Sequence, residues 1–292
     1  MSKFLSIIEI LMYNLFIVQK KETKNMNEYE LVSGYIVDYI KSKVENPIEY
    51  LNGNRKDWIN QPSIDKIDFL KNKFITIKTP FLKDVYLKFL IHEALSSKES
   101  DHQKLNEWIV QDWGGIKTHK DFDTLSIAME NNSLDRISSW SKIASFEDIK
   151  TKIIYDSRVI YTLNWIIYRY KKETNSDSKY LFQPSGRNKL LTLLPVDSII
   201  NFDNIKSLQI DKKGDTIFGD IYIPKKECYN YACNLIQNIN TKLFTQEAVE
   251  LPEIGTILAK DFPFFTEMLL FQMSDNIIFK DIKESIQISI GK

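Results

Sequence analysis

The chain has 292 residues, 43% apolar and 27% charged, with 39 basic and 39 acidic side chains that cancel. A neutral chain of this size can bury a sizeable core, as one large domain or two small ones, and its overall charge neither requires nor forbids nucleic acid. Only nine Gly and eight Pro speak against an all-β fold built on tight turns. Cys228 and Cys233 stand five apart and His92, His102 and His119 are scattered, so no metal-ligand spacing is present. No metal and no cofactor is expected, and this thiol usage fits a reducing, cytoplasmic compartment.

From the N-terminus, Phe4 to Val18 is apolar behind Lys3, with Glu9 inside the run. It is short for a bilayer span and lacks a small-residue cleavage site, so a docked amphipathic helix or an upstream extension is expected. A membrane-surface contact through residues 4–18 is the rival reading, and no other membrane association is expected. Residues 1–25 are thus an extension or docked helix, 26–130 an N-terminal helical subdomain and 131–292 a second subdomain. Met26 to Glu45 carries Leu31, Val32, Tyr35, Ile36, Tyr39 and Ile40 at helical spacing. Asn46-Pro47 ends that helix, and Asn52-Gly53-Asn54 marks a turn. Ser63 can cap a helix to about Leu70, and Phe74 to Ile77 is a short β-branched run. Phe81 to Leu95 is a helix with Leu82, Val85, Phe89, Leu90 and Ala94 on one face. His102 to Trp113 is another, closed by Gly114-Gly115, and Asp121 to Glu130 a shorter one.

Asn131-Asn132-Ser133 is a turn, followed by a short helix over Leu134 to Ile137. Ser138-Ser139 can break that helix and cap the next, from Trp140 to about Phe146, giving a helix–short turn–helix. After Lys150 and Lys152, Ile153-Ile154-Tyr155 leads to Asp156; Asp156 or Ser157 caps a long helix to Tyr170, with Val159, Leu163, Ile166 and Ile167 inward. A Pro/Gly loop ends in Arg187. A β-hairpin over Leu208 to Ile223, a helix over Cys228 to Leu243 and an apolar helix over Pro263 to Met273 complete a mostly α fold. Charge is uneven along it. Residues 136–189 hold eleven Lys/Arg against five acids, a local excess suited to a phosphate backbone, although Lys-rich helices are often merely solvated.

Within this basic segment lie SSWSKIASF (138–146), IIYDSRVIYTLN (153–164) and YLFQPSGRN (180–188), with TEMLLF (266–271) further on. Together they resemble the helix-hairpin-helix DNA glycosylase superfamily, and within it the bacterial proteins with an 8-oxoguanine DNA glycosylase fold. The resemblance covers about half the chain, residues 131–275. It implies a helical glycosylase-like fold and a partner, double-stranded DNA with a modified base, oxidised guanine being the substrate the family label suggests. The nucleotide would be flipped into a pocket. Lys142 matches the lysine that attacks the sugar and Asp156 the aspartate that stabilises positive charge on it. A lysine attacks only when neutral, and apolar neighbours (Trp140, Ile143, Phe146) with nearby Arg158 favour that form. Backbone groups at Ser138, Ser139 and Ser141 would grip phosphate, with Arg158 and Arg187 as further contacts. Arg158 could instead pair with Asp156, and loop structure alone also explains the surroundings of Arg187. Trp140 and Phe182 could stack on the flipped base, or simply pack in the core. The turn Ile137 to Trp140 holds none of the glycines usual in that superfamily's hairpin. The alternatives are a non-catalytic nucleic-acid-binding module and a helical interaction protein, possible roles in defence against invading DNA included.

Overall fold

The computed structural model describes residues 29–56, 61–98, 100–117, 121–176, 181–183, 193–203, 209–210, 216–217 and 222–286. Among these the fold is mostly helical, with two small antiparallel hairpins. Helix α1 covers residues 29–43 and buries Val32, Ile36, Tyr39 and Ile40 of the apolar set its periodicity marks, with Tyr35 half-buried and Leu31 exposed. Asn46 both ends that run and starts the next. Its side-chain oxygen accepts from the Ile48 and Glu49 N–H groups, capping α2 (Pro47–Asn54). Asn52-Gly53-Asn54 is therefore not a separate turn but the end of α2. The Asn52 and Asn54 amides back-bond to the carbonyls of Ile48 and Tyr50 and keep that last turn helical.

Ser63 to Leu70 forms only a helical turn, α3 (Gln61–Ile64), and a 3₁₀ turn, Asp68–Leu70. Phe74 to Ile77 makes turns rather than a strand: Phe74 and Ile77 go inward and Ile75 stays exposed. Helix α4 (Pro80–Ser96), capped by Thr79, is buried on more than one face, with Phe81, Val85, Tyr86, Leu87 and Ile91 all at 0% exposure. It packs on α2 and on α7 (Ile137–Glu147). Helix α5 (His102–Glu107) widens into a π-helical segment, Trp108–Trp113, whose Gly114 N–H donates to the Ile109 carbonyl at 2.8 Å. Asp121 caps α6 (Phe122–Glu130).

The expected break at Ser138-Ser139 is absent, and α7 runs unbroken from Ile137. The reversal lies earlier, over residues 131–136. There Asn132 (φ 48°) and Arg136 (φ 56°) take left-handed conformations, and α6 then packs against α7. The expected short helix over Leu134 to Ile137 is not formed; the pair present is α6 and α7, joined by the turn Asn131 to Arg136. Serine tolerates a helix interior when its hydroxyl finds a partner there, and Ser145 shows how: its Oγ donates to the Lys142 carbonyl.

Asp156 caps α8 (Ser157–Thr174), which buries Val159, Leu163, Ile166 and Ile167 and ends at left-handed Asn175. Helix α9 (Val196–Asp203) follows. Strands β1 (Gln209–Ile210) and β2 (Thr216–Ile217) pair within the stretch expected to form a hairpin. Helix α10 (Lys225–Leu243) holds both cysteines, buried and unlinked. A second hairpin, β3 (Ala248–Leu251) with β4 (Gly255–Leu258), was not expected. Helix α11 (Phe264–Met273) does not close the chain. It continues through a second π segment, Ser274–Ile278, into α12 (Phe279–Ser285). A single buried cluster extends from Val32 to Ile282, with α4 on α7, α2 on α11 and α8 on α11, so α11 is enclosed by helices from both halves of the chain. Among the described residues no helix is long and apolar enough to cross a membrane.

Candidate active site around Lys142

The inner face of α7 carries an unusual set of polar groups for a helix so deeply packed. Ser139, Ser141, Lys142 and Ser145 are all buried, Lys142 at 7% exposure. Helical side chains lean toward the helix N-terminus. Lys142 follows that rule, and its Nζ donates to the Ser138 carbonyl at 2.6 Å. Its stem lies against Gly114, where an added Cβ would sit 2.7 Å from Lys142 Cδ. Glycine there gives the lysine its channel between α7 and the π segment. Burial pushes the Lys142 ammonium below the ordinary lysine range, while the charges of Asp156 and then Glu267 oppose that shift. The causes thus include burial, as anticipated, but a carboxylate pair rather than Arg158 supplies the charge.

Facing α7 is the extended segment Ile153 to Asp156. Three side chains from three helices hold it. Ser141 Oγ on α7 accepts from the Tyr155 N–H at 3.0 Å. Glu267 Oε2 on α11 accepts from the Ile154 N–H at 2.9 Å. Tyr229 on α10 donates its hydroxyl to the Ile153 carbonyl at 3.0 Å. The segment delivers Asp156 to the start of α8, where its carboxylate accepts from the Arg158 N–H at 2.8 Å. Lys142 and Asp156 are thus electrostatic neighbours with separate hydrogen-bond partners, and the described residues show no ion pair between them.

Behind Lys142 lies a second buried lysine that sequence reasoning missed. Lys88 on α4 donates to Ser145 Oγ at 2.8 Å and sits over the Phe146 ring, 4.5 Å from its centroid. Burial pushes it down to about 8, against the charges of Glu267 and Asp84. Glu267 itself is pushed up by burial, with Lys88 the largest charge opposing that. Asp84 accepts from Arg55 Nε at 2.6 Å. The signal was present in the sequence: charged residues inside the apolar runs of α4 and α11 are almost never fully buried without partners.

The other expected site residues fall elsewhere. Trp140 is 1% exposed, donates Nε1 to the Ser133 carbonyl at 2.9 Å and meets Tyr229 edge-on. Phe182 is wholly buried beside Tyr231, its backbone read in both directions by the Asn164 amide. Both rings are core, at 1% and 0% exposure, and neither presents a face at the surface. Ser139 and Ser141 are likewise inside, and Ser141 is engaged with Tyr155, which leaves half-buried Ser138 as the member of that trio nearest the surface. Arg158 does not pair with Asp156 through its guanidinium; Nε donates to Asp275 at 3.0 Å and the group lies 4.7 Å from the Phe271 ring centroid. Arg187 lies outside the described residues. Among those residues no group of His, Cys, Asp and Glu is arranged to hold a metal. Comparisons of the chain with protein-family models, with curated proteins and with solved structures give no match.

Proposed function

We propose that this protein is a DNA glycosylase with lyase activity, acting on a modified base in duplex DNA. The observation that carries the reading is Lys142: a buried amine, biased toward its neutral form, with its stem against Gly114 and coupled electrostatically to helix-capping Asp156. Released from the Ser138 carbonyl, the neutral nitrogen attacks C1′ of a flipped nucleotide. The C1′–base bond breaks, and the base leaves with the bonding pair and takes up a proton. Opening of the sugar ring gives a Schiff base between Lys142 and C1′, and loss of a C2′ proton then expels the 3′ phosphate by β-elimination. The Asp156 carboxylate opposes the positive charge that develops on the sugar. The α6–turn–α7 pair supports a DNA face at Asn131 to Arg136: Arg136, 4.0 Å from Asp121, is exposed and α7 begins without a side-chain cap, an end that favours anions, while Asp135 opposes them.

The test is borohydride trapping on a duplex with a single abasic site. A covalent adduct that disappears in Lys142→Gln is the expected result. An adduct that persists in that variant refutes the role given to Lys142. Salt-dependent DNA binding without any adduct would instead identify a non-catalytic binding module.

A further inference from the structure

We propose that Glu267 is the positioning residue of this site, a buried carboxylate on α11 that fixes the backbone presenting Asp156 and serves as common counter-charge to Lys142 and Lys88. The inference rests on the lyase reading for its consequence, but not for its geometry. Glu267 is 5% exposed in an otherwise apolar helix, and its Oε2 holds the Ile154 N–H at 2.9 Å. That bond fixes the segment two residues before Asp156. Ser141, the immediate neighbour of Lys142, fixes it one residue before Asp156. One short segment is thereby tied at once to the helix carrying the amine and to the helix carrying Glu267, so these two bonds, with that of Tyr229 to the Ile153 carbonyl, hold Asp156 in its place relative to Lys142.

The charge environment is balanced around the same carboxylate. From α4 come Lys88 and Asp84, from the end of α2 Arg55, from α7 Lys142, from the start of α8 Asp156, and from α10 Tyr229. Two buried ammonium groups near each other disfavour each other's charged forms, and a shared carboxylate limits that effect. Glu267 is the group felt by Lys88 and Lys142 alike. Its removal should drive Lys142 further toward the neutral amine while loosening nothing that an amide oxygen can still hold.

Two variants separate the two duties. Glu267→Gln keeps an oxygen for the Ile154 N–H and drops the charge. Glu267→Asp keeps the charge and retracts the oxygen by one methylene. Lys142 is followed in the free protein by NMR of ¹³C-labelled lysine, its signal assigned by its loss in Lys142→Gln. In E267Q the Lys142 midpoint should fall by at least about half a pH unit, and the rising limb of the trapping rate against pH should fall with it. In E267D the midpoint should hold and trapping should drop at least about tenfold at every pH. A Lys142 midpoint unmoved in E267Q overturns the counter-charge role, and undiminished trapping in E267D overturns the positioning role. If E267Q does not fold, E267D alone decides the positioning claim. Because the NMR titration needs no DNA, a chain that never forms an adduct would sink the lyase reading and leave the charge coupling standing or falling on its own result.

Discussion

Replacing Gly114 with alanine would build a Cβ 2.7 Å from Lys142 Cδ and 2.8 Å from the carbonyl oxygens of Ile109 and Val110. The lysine stem can swing away, but the carbonyls cannot do so freely. Ile109 O accepts from the Gly114 N–H and Val110 O from the Ile116 N–H, the bonds that define the wide turn. The Gly114 backbone, at φ −78° and ψ −10°, suits alanine, so the cost is purely steric. Overpacking of this kind costs about 1–3 kcal/mol. The lower entropy of the unfolded alanine chain returns about 0.4–1 kcal/mol of that, leaving a net loss of roughly 0–2.6 kcal/mol. Two other glycines calibrate the result. Gly34, inside α1 with open space around it, should gain about 0.5–1 kcal/mol as alanine. Gly115, also in open space but at φ +69°, should lose about 1–2 kcal/mol through strain alone. Urea unfolding at constant m-value measures all three. Borohydride trapping then separates the two destabilised variants: G114A displaces Lys142 and should lose at least about tenfold, whereas G115A should trap like the parent. A G114A protein as stable as the parent and equal to it in trapping would refute the packing described for this channel.

Asp156→Ala removes the α8 cap and should cost about 1 kcal/mol; Asp156→Asn keeps a capping oxygen, so it should hold the melting temperature while trapping falls. Stability should rise from about pH 8, because Lys88 is held near 8 in the fold and at 10.5 in the unfolded chain, which therefore binds the extra proton; the rise should slow from about pH 9, where the unfolded chain loses the Cys228 and Cys233 protons that the buried thiols keep. The ceiling is ~3 kcal/mol, Lys142 adds in the same direction, and Lys88→Met should flatten the rise in urea titrations. Above pH 10 the trend should reverse, since Tyr39 and Tyr161 keep their protons when folded and lose them when unfolded. Trp140→Phe should cost about 1–2 kcal/mol through the orphaned Ser133 carbonyl and the lost contact with Tyr229; its trapping constants should be unchanged, and a raised KM would restore a substrate-stacking role. Ser141→Ala should cost about 1–3 kcal/mol by leaving the buried Tyr155 N–H without a partner, read as a lowered unfolding midpoint.

The helices α1, α8 and α10 could be read from apolar spacing, α4 and α11 from their apolar runs, although of the face expected on α4 only Val85 and Leu90 are buried, and Asp156 from its capping position, because those signals are local. Ser138-Ser139 misled for a physical reason. Serine is favoured at caps, yet these two sit in the first turn of α7, and the reversal is made by a left-handed arginine, Arg136, which no local preference announces. The site divides the same way. Lys142 and Asp156 stand in one continuous stretch, whereas Lys88 and Glu267 come from α4 and α11, 179 positions apart, and meet only through packing. Arg158 drew attention as a cation beside Asp156; its partner Asp275 lies in the second π segment, a distance no spacing rule reaches. The two π segments themselves have no sequence periodicity that distinguishes them from ordinary helix.

The first of those segments has a bearing on tolerance to insertion and deletion. A π turn holds one residue more than the α turn it replaces, so Trp108–Trp113 is helix with a surplus residue accommodated as a bulge. Deleting one residue there would let the stretch revert to i→i−4 bonding and would remove the wide bond from the Gly114 N–H to the Ile109 carbonyl. Gly114 would then lose the seat that holds it against the Lys142 stem, where an added Cβ would have only 2.7 Å. A shortened chain could keep its helices and core and still lose the channel, so length in this one turn is a determinant of the site as much as any side chain in it.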